Sequence, residues 1–69
     1  MQPSTLQILV YTFGSQWAVR EGEVGRLFAS STLALLDARA RAAALQHQGT
    51  NAVVLIADQN GDWQHDSQA

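Results

Sequence analysis

Runs of apolar, β-branched and aromatic residues lie near both ends of the chain, and between them apolar positions recur at helical spacing. Leu6 to Phe13 predicts a first strand, with Leu6, Ile8 and Val10 pointing one way and Leu9, Tyr11 and Phe13 the other. Gly14-Ser15 is a turn signal. Gln16 to Arg20 predicts a second strand, Trp17 and Val19 on one face and Ala18 on the other. Glu21-Gly22-Glu23 reads as the next turn, and Gly25 to Ala29 as a third, weaker strand. From about Thr32 to Gln48 the chain is dominated by Ala, Leu, Arg and Gln, the strong helix formers. Ser30-Ser31-Thr32 supplies N-cap hydroxyls and Gly49 a C-terminal stop, with His47 in the last turn where a cation suits the helix dipole. Asn51 to Asp58 predicts a further strand, in which Val53, Leu55 and Ala57 oppose Ala52, Val54 and Ile56. Asn60-Gly61 predicts a type I′ hairpin, and Asp62 to His65 the return strand. Residues 1–5 form a lead-in delayed by Pro3, and 66–69 are expected to fray.

The elements add up to a single α+β domain over residues 1–69: a small antiparallel-type sheet of four to five strands with one helix packed on it, in the order ββ(β)αββ. Apolar residues exceed what such a fold needs. On the helix, Leu33, Leu36, Ala40, Ala43 and Ala44 fall on one side, and Ala34, Leu35, Ala38, Ala42 and Leu45 roughly opposite. Asp37, Arg41 and Gln48 separate these stripes along one flank, Arg39 and Gln46 along the other. The first and fourth strands are apolar on both faces, whereas a sheet with one wet face alternates apolar and polar residues. One helix covers one face only. Self-association as a homodimer, or binding of another protein, is therefore expected, through Leu35, Ala38, Ala42 and Leu45 or through the uncovered sheet face with Leu9, Tyr11 and Phe13.

Composition points the same way. At 69 residues the chain is near the size where small domains need a staple, and with no cysteine a disulfide or a thiolate metal site is ruled out, leaving oligomerisation. The missing cysteine also fits a cytoplasmic protein. The N-terminus lacks the basic and apolar stretches of a signal peptide, and no apolar run approaches the ~20 residues that span a bilayer. The net charge is −2 and the only fixed cations are Arg20, Arg26, Arg39 and Arg41, so polyanionic partners are disfavoured.

Patterns that could carry chemistry have simpler explanations. Asp58, Asn60 and Asp62 open like a calcium loop, but Trp63 and Ala69 stand where that loop needs glycine and glutamate. His47, His65 and Asp66 are metal-ligand types with no spacing that brings them together. No serine lies in a nucleophile elbow, and Gly22-x-x-Gly25 lacks the lysine and setting of a phosphate loop. No cofactor, no metal and no enzymatic activity are expected. Tyr11, Trp17 and Trp63 with Arg20 could form a stacking platform for bases; without a cationic surround, cross-strand packing is the preferred role.

The strand Trp17-Ala18-Val19-Arg20, the Gly-containing turn after it, and the helix with its Ala38-Arg39 and Ala40-Arg41 steps closed by Gly49 make up one part of a wider pattern. Val53-Val54-Leu55, Asn60-Gly61 and Asp66-Ser67 make up the rest. Over about residues 17–67 this resembles a family of short bacterial proteins grouped as domain of unknown function twenty-one eighty-eight. The approach to the helix reads Thr32-Leu33-Ala34, without the family's acid. The resemblance implies a β-rich N-terminal half, one helix and a C-terminal hairpin, and no activity. A non-catalytic interaction or accessory module is the leading expectation; a nucleic-acid-associated regulatory module using sheet aromatics and arginines is the alternative.

Overall fold

β1 (Thr5–Phe13) forms the middle of one five-stranded sheet, flanked by β2 (Gln16–Glu21) and β4 (Asn51–Ala57). Outside these lie β3 (Val24–Phe28) and β5 (Trp63–His65), giving the order β3-β2-β1-β4-β5. The single helix, α1 (Ser31–His47), packs on one face, so the fold is α+β. The computed structural model describes residues 5–58 and 60–66; the lead-in at 1–4 and the end at 67–69 lie outside the described residues.

The sheet is mixed rather than antiparallel throughout. Two-residue loops join β1 to β2 and β2 to β3, and tight hairpins make antiparallel neighbours. Between β3 and β4 the chain crosses the sheet as α1. It then returns beside β1 in the same direction, pairing Leu6 with Ala52 and Val10 with Ile56. A crossover of this length is what a parallel pair needs.

Ser30 caps α1 by accepting from the Leu33 N–H at 3.3 Å. At the other end Gly49 takes φ 84°, its N–H donating to Gln46 and that of Thr50 to Leu45. Both bonds satisfy carbonyls that the last turn leaves open. The final hairpin differs from the expected type I′ turn. Gly61 has φ 84°, but Asn60 does not have positive φ, and the loop runs from Asp58 to Asp62. Asp58 explains this: one carboxylate oxygen accepts from the backbone N–H groups of Asn60 and Asp62, at 2.8 and 2.9 Å. A side chain that satisfies two backbone donors holds a longer loop than a two-residue turn. Asp66, expected to fray, is instead fixed, with its N–H donating to the Val54 carbonyl at 2.9 Å.

The core lies between α1 and the sheet. Ile8, Val10, Val19 and Val54 are its largest fully buried side chains, each contributing about 1.5–3 kcal/mol. Ala34, Ala38, Ala42 and Leu45 face them from the helix, and Trp17, Phe28, Leu35 and Ile56 close the margins. This corrects the helix version of the expected interface. Ala38, Ala42 and Leu45 are buried within the molecule and Leu35 packs against them, while Leu33 and Leu36 are exposed. The physical reason is volume: β-branched residues already fill the sheet side, and an alanine row lets the helix backbone come close.

Ion pairs set the roll of the helix. On one flank Asp37 accepts from Arg26 of β3 at 2.7 Å and Arg41 donates to Glu21 of β2 at 2.6 Å. On the other flank Arg39 holds Asp66 through both carboxylate oxygens, at 2.6 and 3.2 Å, and Gln46 donates to the Ala52 carbonyl. The polar flanks read from the sequence are thus two seams joining helix and sheet.

Candidate functional site: the uncovered sheet face

Strand alternation sends Leu9, Tyr11 and Phe13 to the side away from α1. The pairing adds Ala18 of β2, Leu27 of β3, Val53, Leu55 and Ala57 of β4, and Trp63 and His65 of β5 to that same side. The structure therefore brings the three sheet residues singled out from the sequence together. It extends them across all five strands. Leu27 and Trp63 were not singled out as interface residues, because their membership depends on register across hairpins that alternation within one strand does not set.

Phe13, Leu27 and Trp63 are 62%, 52% and 47% exposed, whereas Leu9, Tyr11, Val53 and Leu55 are half-buried among their neighbours. Tyr11 and Trp63 meet edge to face with ring centroids 6.3 Å apart. In the register Trp63 lies opposite Ala57 of β4. Such a pair adds about 0.5–1.5 kcal/mol beyond its buried area. Trp17 does not join this platform; it alternates to the helix side and packs on the core.

Charge is sorted between the two faces. Glu21 and Asp37 belong to one seam and Asp66 to the other; Glu23, Asp58 and Asp62 lie in turns. No carboxylate stands on the uncovered face among the described residues. That face carries Arg20, whose Nε donates to the Gly22 carbonyl at 2.9 Å, and His65 on the opposite flank. The seams engage the other three arginines. The hydrogen bond from Arg41, helped by the charges of Arg41 and Arg26, outweighs the cost of burial and holds the Glu21 carboxyl below its ordinary pKa. The hydrogen bond to Asp66 raises the Arg39 pKa, and that to Glu21 raises Arg41.

Two depressions elsewhere are chemically spent. One, of about 330 Å³, is lined by Glu21, Val24, Arg26, Asp37 and Arg41, whose charges neutralise each other in pairs. The other is lined by Thr12, Trp17, Ala57 and Asp58. Both Asp58 oxygens are engaged inside the hairpin, the second by Gln64 at 3.1 Å. The Asp62 and Asn60 N–H groups, together with Gln64, lower its pKa. His47 ends the helix and His65 lies on the opposite side of the sheet, so the two do not converge. Among the described residues no three His, Asp or Glu side chains are placed to hold a metal ion, and no helix is long and apolar enough to cross a membrane.

Comparison with protein-family models, curated proteins and solved structures returns no match to this chain.

Proposed function

We propose that this chain is a non-catalytic, cytoplasmic protein-interaction module whose working surface is the uncovered sheet face, and that it belongs to the uncharacterised bacterial family its motifs resemble. The observation that carries the proposal is a largely apolar, aromatic face spanning five strands, on which the described residues place no carboxylate and over which they place no element. The largest apolar patch on a monomeric protein is often its functional surface. In the depression beside β2 and β3 the ionisable side chains pair with one another, and Asp58 in the second is held by backbone N–H groups and Gln64, so neither presents a poised acid, base or nucleophile. The element order, with three strands, one helix and a C-terminal hairpin, supports the family reading.

The acid-free character of the face favours one second reading, a base-stacking surface built on Tyr11, Trp63 and Arg20. It has a single arginine to offer to phosphates, where such surfaces use several.

Photo-crosslinking separates these. A benzophenone amino acid at Leu55, in the cells that produce the chain, is expected to give discrete protein adducts that the same probe at Ala40 on the outer helix surface does not. Adducts to nucleic acid, or none above the Ala40 control, would overturn the protein-interaction reading.

A further inference from the structure

Resting on that reading of the face, we infer that its occupant is a second copy of this chain, seated sheet against sheet across a two-fold axis. Area supports a copy first. Phe13, Leu27 and Trp63 at 62%, 52% and 47% exposure, with the half-buried Leu9, Tyr11, Val53 and Leu55, leave on the order of 500 Å² of apolar surface on the face. Two copies would bury about 1,000 Å² in total, the size at which specific interfaces begin.

Shape supports it next. A twisted sheet whose inner residues are Leu9, Tyr11, Val53 and Leu55 is the surface that packs on another sheet, about 10 Å away and with strands nearly aligned. A two-fold contact requires one patch to complement itself, and an apolar patch with no carboxylate buries no unpaired acid when doubled. Arg20 on β2 and His65 on β5 lie on opposite sides of the inner pair, beside Leu9 and Leu55 respectively, and both are exposed.

The core supplies the third support. Of the nine buried residues of the core cluster, four are alanines: Ala34, Ala38, Ala42 and Ala52. A chain of 69 residues with so little buried volume per position gains most from a partner present whenever it is made. A second copy is such a partner.

The test is absolute mass by light scattering across a dilution series, on the full chain. The expected result is about twice 7.5 kDa at high concentration, falling towards one chain on dilution. Leu55→Glu, at the centre of the face, is expected to weaken association by roughly a hundredfold or more, because it buries an unpaired carboxylate. Leu27→Glu, at an exposed position on β3, is expected to weaken it in the same direction and serves if Leu55→Glu fails to fold. Leu36→Glu on the outer helix surface is expected to leave the mass unchanged.

A monomer at every concentration overturns the inference. So does a dimer that survives both face substitutions or is broken by Leu36→Glu. If the chain is monomeric yet the Leu55 probe still captures one discrete protein, the inference fails while the interaction reading stands. If the chain is monomeric and the probe captures nothing, both fail.

Discussion

The two faces of the sheet use similar strand residues and meet opposite fates. On the helix side Ile8, Val10, Val19 and Val54 are fully buried beneath an alanine row, and ion pairs run down both margins. On the other side Leu9, Tyr11, Val53 and Leu55 stand half-buried, with Phe13, Leu27 and Trp63 more exposed and no carboxylate among them. An intramolecular contact can afford charged seams because both partners arrive on one chain with fixed register. The open face has kept its charge at the edges, as a surface that docks by area does.

The sharpest way to break this contrast is to place charge under the helix. Ala38 is fully buried against the sheet, so Ala38→Arg overpacks the core and strands a cation. We expect a loss of about 4 kcal/mol or more, most of the stability of a domain this small. Far-UV circular dichroism during heating should show no cooperative transition for the variant. The same charge at Leu36, on the outward row, is expected to change stability by no more than about 0.5 kcal/mol. Equal losses at both positions would mean that the helix has no preferred side.

Most of the secondary structure was legible in the sequence because local rules govern it. The helix ends were marked by the Ser30-Ser31-Thr32 hydroxyls, of which Ser30 is the cap, and by Gly49, and strand alternation sorted Leu9, Tyr11 and Phe13 from Ile8 and Val10. The choice between helix stripes was not legible, since each carries two leucines and both lie between the same polar flanks. Arg26 reaching Asp37 and Arg39 reaching Asp66 span 11 and 27 residues, and nothing local announces such partners. The parallel β1–β4 pair was hidden for a related reason: it depends on where the crossover sets the chain down. The longer β4–β5 loop shows local chemistry misjudged, because Asp58 competes with Asn60-Gly61 for control of the turn.

Gly49 offers a smaller change that sharpens the comparison. Its φ of 84° is costly for any residue with a Cβ, although nothing lies within 4 Å of where that Cβ would sit. Gly49→Ala should therefore cost about 1–2 kcal/mol through backbone strain alone. The denaturant midpoint should fall with an unchanged slope, and the open face should be untouched. Association at matched folded concentration is then expected to equal that of the parent chain. A variant that loses association as well would tie the face to the helix end.

The smallest expected effect is on pH. Glu21 has its folded pKa below the ordinary 4.5, so its charged form is favoured by folding. That contribution is complete above the ordinary value and is lost as pH falls through the lower folded value. Glu21→Gln should therefore reduce stability slightly near neutral pH and flatten the acid limb as pH falls below the ordinary value of 4.5. Salt should mimic the substitution at this exposed pair with Arg41, and should do less at Asp58, whose donors are chiefly backbone N–H groups. Because the described residues place no carboxylate on the uncovered face, association of the still-folded chain should not respond over that acid limb. Dissociation that preceded unfolding there would place an acid in the interface, where sheet-against-sheet docking has none.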